Sequence, residues 1–167
     1  MSLSSKRKFT FHYSLKKSVV FFFLAFLCVQ NTNAQLPATG LSFDGTNDYI
    51  NVPVNPSLNI STAITLEAWI YPTSAVGTQD VICKSSSGET NSYIFPRTGD
   101  GWSNLQFLLY INGQGWKTLS VPYGTAKINQ WHHLAATYDG YYMRIFIDGI
   151  EAGNLGVTGS ITVNNNP

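Results

Sequence analysis

The chain is poor in charge and, beyond its first residues, poorer still in positive charge. Of 167 residues only ten are Lys or Arg and nine are Asp or Glu, and five of the ten bases (Lys6, Arg7, Lys8, Lys16, Lys17) precede position 18, where no acid occurs. From Gln35 onward five bases face nine acids, a net of −4 that the whole-chain total of +1 conceals. A body so sparsely basic does not present the clustered Lys/Arg face that non-specific nucleic-acid binding requires. Cysteine is nearly absent as well: Cys28 lies in the leader described below, which leaves Cys83 alone. One thiol forms neither an intrachain disulfide nor a zinc site of the usual spacing. Within Asp80-Val-Ile-Cys-Lys84, Cys83 is expected as a small buried or half-buried strand residue. After residue 34 there is no long apolar pattern of period 3.6, which excludes a helical bundle. The nucleophile elbow Gly-x-Ser-x-Gly is missing too, since Gly40-Leu-Ser-Phe-Asp44 and Gly101-Trp-Ser-Asn-Leu105 both lack its second glycine.

What is present begins with an address. The basic residues up to Lys17 precede an uncharged apolar run, Val19 to Val29, and then polar Gln30-Asn-Thr-Asn-Ala34. This is the three-part plan of a secretory signal peptide, with small residues at Thr32 and Ala34 placing cleavage after Ala34. The apolar run is shorter than the ~20 residues that span a bilayer. Leu27 before Cys28 is too bulky for lipoprotein-type cleavage. Residues 1–34 are therefore expected to be removed, 35–40 to form a short linker and 41–167 to form one exported domain that meets a membrane only during export.

The body reads as strands and tight turns. In Ala63 to Tyr71, Ile64, Leu66, Ala68 and Ile70 share one face while Thr65, Glu67, Trp69 and Tyr71 share the other, and Pro72 ends the pattern. Leu105, Phe107, Leu109 and Ile111 line one face of a second strand, which Asn112-Gly113 turns toward a partner spanning Trp116 to Val121. Trp131 to Tyr138 and Met143 to Asp148 form another pair across Asp139-Gly140, and Asp148-Gly149 leads into Ile150 to Ala152. Such spacing predicts an all-β, antiparallel sandwich.

Four stretches go beyond fold class. Leu41-Ser-Phe-Asp-Gly-Thr-Asn-Asp-Tyr-Ile50, Ile64-Thr-Leu-Glu-Ala-Trp-Ile-Tyr-Pro72, Trp131-His-His-Leu-Ala-Ala-Thr-Tyr-Asp-Gly140 and Met143-Arg-Ile-Phe-Ile-Asp-Gly149 together resemble the laminin-G-like domains of the concanavalin A-like lectin/glucanase superfamily, in order and spacing as well as wording. The resemblance implies a two-sheet jelly roll whose concave sheet and edge loops bind glycans or proteins. It also implies two or so further strands beyond Asn164-Asn-Asn-Pro167, without which neighbouring strands would expose unpaired backbone and apolar edges. Glycosidases of the superfamily use two carboxylates on alternate positions of one strand, and no Glu-x-Asp-x-Glu run occurs here. The expectation is a non-catalytic binding module for carbohydrate or an extracellular matrix or cell-surface glycoconjugate. The alternatives are a structural or adhesion module of a larger surface protein, or an accessory domain of a polysaccharide-degrading enzyme.

Candidate sites follow from residue chemistry. Asp44, Asn47 and Asp48 gather the hard oxygens that calcium prefers, and Asp44 matches the family's loop aspartate; the alternative is a tight turn closed on backbone amides. Trp102 and Trp116 lie in Gly/Asn/Ser-rich segments, and Tyr141 and Tyr142 follow Asp139-Gly140, so these four are expected near loop tips as stacking surfaces for sugar rings, or else packed onto the sandwich. Trp69 and Trp131 lie within regular strands and are expected in the core. His132 and His133 point to opposite faces, one inward with a hydrogen bond and one outward, so they do not chelate one ion jointly. Asp148 and Glu151 are expected to serve turn geometry, and Asn59-Ile-Ser61 fits the N-glycosylation pattern.

Overall fold

The computed structural model describes residues 40–85, 92–99, 102–123 and 128–164. It divides the chain into two compact units, Met1–Tyr49 and Ile50–Pro167. The expected export leader lies outside the described residues, as does the linker apart from Gly40. In the first unit the described residues 40–49 are exposed and form no strand. No helix among the described residues is long and apolar enough to cross a membrane.

Among its described residues the second unit holds eight strands: β1 (Ile64–Ile70), β2 (Asp80–Lys84), β3 (Tyr93–Thr98), β4 (Asn104–Ile111), β5 (Gly115–Pro122), β6 (His132–Tyr138), β7 (Tyr142–Ile147) and β8 (Ile150–Gly156). They form two four-stranded sheets, sheet I in the order β1-β6-β7-β8 and sheet II in the order β2-β3-β4-β5. Every pairing is antiparallel. The molecule is the all-β two-sheet sandwich that the alternating pattern predicts.

Alternation decides which side chains meet between the sheets. Ile64 and Leu66 of β1, Leu134, Ala136 and Tyr138 of β6, and Met143 and Ile145 of β7 supply sheet I's share of the core. Sheet II answers with Tyr93 and Phe95 of β3, Leu105, Phe107, Leu109 and Ile111 of β4, and Leu119 and Val121 of β5. Phe95 and Phe107 meet edge to face, with centroids 5.8 Å apart. Burial of each large side chain in this layer contributes ~1.5–3 kcal/mol.

The sheets come into close contact at Gly153. A β-carbon there would lie 2.8 Å from Val121 Cγ1 and 3.9 Å from Leu119 Cδ1, so only glycine lets β8 pass over β5. This close approach carries β8 through Asn154 to Gly156, further than the Ile150–Ala152 expected from sequence.

Candidate functional site

Sheet II presents an outward face set by the same alternation. On β5, Leu119 and Val121 point inward, so Trp116, Thr118 and Ser120 point out. On β4, Gln106, Leu108 and Tyr110 do the same. Register then assembles rows across the strands: Ser120 opposite Gln106 opposite Arg97 opposite Asp80, and Thr118 opposite Leu108 opposite Ile94 opposite Cys83, a row in which Leu108 and Ile94 are buried and only its two ends are exposed. Trp116 lies directly across from Tyr110, with ring centroids 5.4 Å apart at 84°. The indole is 36% exposed while Tyr110 supports it from the side. In the polar row, Arg97 Nε and Nη2 each donate to an Asp80 carboxylate oxygen at 2.7 Å, a two-pronged pair that holds the guanidinium in place. An exposed ring on the same face as hydroxyl, amide and fixed charged groups ~13 Å along the strands is suited to an extended ligand with apolar faces and many hydroxyls.

Cys83 belongs to this face. It is a strand residue as expected, but it is exposed rather than buried or half-buried, because it faces away from the core on the edge strand β2, whereas its register partner Ile94 on the inner strand β3 is buried.

Trp102 occupies a different environment from the expected loop tip. Its N–H donates to the Gly99 carbonyl at 2.9 Å, its φ is 54°, and the side chain is only 4% exposed. The ring packs on Tyr123 at 5.8 Å, and Tyr123 in turn meets the edge of His132 at 5.8 Å. Trp102 is thus a core aromatic and not a stacking surface. His132 is the inward member of the histidine pair: Nδ1 lies 2.8 Å from Asp148 Oδ2, while Asp148 Oδ1 accepts from the His133 N–H at 3.0 Å. The Asp148 N–H donates to the His133 carbonyl at 2.8 Å, so one aspartate ties the start of β6 to the β7–β8 turn. Trp102 Nε1, Tyr123 Oη and His132 Nε2 are buried and make no hydrogen bond to protein. Burial, and then the Asp148 carboxylate, push the Tyr123 phenol well above its ordinary pKa. Of the resulting His–Asp pair the imidazole is buried against Tyr123 while the Asp148 side chain is 42% exposed, and no hydroxyl or thiol of the described residues is bonded to the imidazole.

Sheet I has its own outward face. Trp69 is 56% exposed and Tyr71 45%, against the core position expected for Trp69. Trp69 lies across from His133 with centroids at 5.2 Å, and Tyr71 from half-buried Trp131 at 5.6 Å. The face already contains Glu67 and Thr65, so the polar half of the β1 alternation carries the indole outward with it. Tyr141 and Tyr142 are exposed, Tyr141 in the turn and Tyr142 at the start of β7. Asp139 Oδ1 accepts from both their N–H groups, at 2.9 and 2.7 Å, and Oδ2 accepts from Arg144 Nη1 at 2.7 Å. The four expected stacking residues therefore do not form one site: Trp116 is on sheet II, Tyr142 on sheet I and Trp102 in the core.

A paired-carboxylate centre is not built on sheet I either. Glu67, Ala135, Phe146 and Glu151 lie in one row across the four strands. Three strand spacings separate the two acids by ~14 Å. Glycosidic carboxylate pairs stand ~5–9.5 Å apart.

In the 44–48 loop, Thr46 N donates to Asp44 Oδ1 and Asp44 N to Asp48 Oδ2, both at 2.8 Å. Each carboxylate thus gives one oxygen to a backbone amide. No cluster of three or more His, Cys, Asp or Glu able to hold a metal occurs among the described residues. The loop by itself falls short of the ~6–8 oxygens of a calcium shell. Asn59, the glycosylation candidate, is half-buried with its Oδ1 enclosed.

Comparison with known proteins agrees with this architecture. No curated protein sequence matches the chain. Among solved structures it is similar to the binding domain of paraclostridial mosquitocidal protein 1, with a TM-score of 0.52 and 16% identity over 68% of this chain. The chain spans 30% of the length of that structure. The galectin LEC-6 of Caenorhabditis elegans superposes with a TM-score of 0.42 and 16% identity, over 75% of this chain and 93% of the galectin. A laminin-G-type family model described as the concanavalin A-like lectin/glucanases superfamily matches residues 44–167. With so much of the sequence matched and both sheets in place, the chain belongs to the concanavalin A-like lectin/glucanase superfamily.

Proposed function

We propose that the chain is an exported, non-catalytic binding module whose ligand is carbohydrate or a glycan-bearing extracellular polymer. The observation that carries this reading is the outer face of sheet II, where the exposed Trp116 ring is braced by Tyr110. The polar row of Asp80, Arg97, Gln106 and Ser120 shares that face. A sugar ring stacks its C–H face on the indole with the Thr118 hydroxyl in the next row, and the polar row, four residues or ~13 Å further along β5, meets the hydroxyls of another residue of the same glycan chain. The signal-peptide plan of residues 1–34 supports export. The non-catalytic reading is supported by the ~14 Å separation of Glu67 and Glu151 and by the burial of the His132 imidazole. Calcium enters as an accessory: Asp44, Asn47 and Asp48 supply part of an oxygen shell that other groups must complete.

A glycan array probed with the secreted chain, with and without calcium, tests the reading. Retention of a defined glycan set, lost in Trp116→Ala, is the expected result. Absence of any bound glycan defeats it, and so does binding that the substitution leaves unchanged.

A further inference from the structure

The outer face of sheet I carries chemistry that glycan binding on sheet II does not use. We propose that it docks a basic segment of a partner polypeptide, at the β1 edge formed by Glu67, Trp69 and His133. Three observations converge on this occupant.

The first is charge. The strands of sheet I and the turns joining β6, β7 and β8 hold four carboxylates, Glu67, Asp139, Asp148 and Glu151, against one guanidinium, Arg144. Arg144 is already bound to Asp139. Asp148 faces His132 at 2.8 Å. Glu151 accepts from Asn154 Nδ2 at 2.8 Å. Glu67 is left with a 3.6 Å approach to His133 Nε2, its side chain 65% exposed. The face therefore attracts positive charge, and Glu67 is its least satisfied carboxylate.

The second is the ring beside that carboxylate. Trp69 is two residues along β1 on the same face, about 6.8 Å from Glu67 in strand rise, and is more than half exposed. Indole is the strongest aromatic partner for a cation.

The third is a template within the same sheet. At the β6–β7 turn the Arg144 guanidinium lies 5.1 Å from the centroid of the Tyr142 ring while Asp139 holds it at 2.7 Å. Ring plus carboxylate there is filled by the chain's own cation. Trp69 with Glu67 repeats the pair of groups on β1, where the His133 imidazole stands 5.2 Å from the indole and 3.6 Å from the carboxylate and no Lys or Arg pairs with Glu67 among the described residues. A guanidinium or ammonium supplied from outside completes it, and Tyr71 and Trp131 extend the apolar contact for the side chain's methylene stem.

The site lies on the opposite sheet from Trp116 and stands or falls independently of glycan binding. Titration of the full chain with a hexa-arginine peptide in low-salt buffer, followed calorimetrically, tests it. Trp69→Ala and Glu67→Gln are each expected to weaken binding by about two- to fivefold, the measure of an exposed cation–π contact. Glu151→Gln should leave it unchanged, and hexa-glutamate should not bind. Both substituted residues are exposed, and an unchanged melting temperature verifies the fold. Equal weakening by Glu151→Gln and Glu67→Gln, with no effect of Trp69→Ala, would mean diffuse attraction and would overturn the proposal. Loss of neutral oligosaccharide binding in Trp69→Ala, with hexa-arginine binding intact, would overturn it in favour of a second glycan surface.

Discussion

Asp139 shows how much one side chain organises at this surface. It accepts from Arg144 and from two backbone amides, which together hold its carboxyl at about 2, well below its ordinary value of 3.8. A depressed carboxylate pKa contributes stability that is fully present above the unfolded value and is lost as pH falls through the folded one. Thermal melts of the parent and Asp139→Asn should therefore differ at pH 5 and converge as pH falls from about 4 toward 2. A gap in melting temperature that stays constant across this range would rule out the linkage. Trp102 gives the opposite case at the same scale. Because it is buried against Tyr123, Trp102→Ala is expected to destabilise the fold by ~3–5 kcal/mol, and urea denaturation measures this directly. A ligand-only role predicts no such loss. Both tryptophans in glycine-rich segments look alike in sequence; what separates them is that Trp116 sits on an outward position of β5 while Trp102 turns inward through a residue with φ of 54°. Trp69 was legible in principle, since it alternates with Glu67 and Thr65, yet the apolar character of indole argues for the core until the register with His133 is known.

At the scale of elements, the alternating strands were readable and the doubly buried one was not. β1, β4, β5, β6 and β7 all follow period-two patterns or Asn-Gly and Asp-Gly turns. β3, with Tyr93, Ile94, Phe95, Pro96 and Thr98 all buried, has no polar face and so no alternation to detect. Its proline cannot donate to a ladder, and the register shifts between Ile94 and Arg97, where the strand bulges around it. β8 was read too short because Gly153 and Gly156 weaken strand propensity, whereas packing over β5 requires Gly153. Gly153→Ala should consequently cost ~1–3 kcal/mol despite being the smallest possible change, read as a lower urea midpoint at constant slope. An unchanged midpoint would show that β8 and β5 separate readily.

For the whole molecule, the low and uneven charge that marks the sequence is distributed differently over the two sheets. Sheet II pairs its principal charges, Arg97 with Asp80, beside an exposed indole, whereas sheet I retains an excess of carboxylates beside another. The fold was legible in the alternating strands and their tight turns, which make β4–β5, β6–β7 and β7–β8 neighbours, although the first motif segment, residues 41–50, forms no strand. The site was not, because candidate aromatics adjacent in composition lie on opposite sheets or in the core. The most direct test is the affinity of the chain for its best array glycan, measured by titration calorimetry beside Trp116→Ala. Loss of at least about tenfold in affinity at unchanged melting temperature is predicted, as for an aromatic hot spot. Equal affinity in the two proteins, or hydrolysis of the glycan during the titration, would contradict a non-catalytic site centred on the outer face of sheet II.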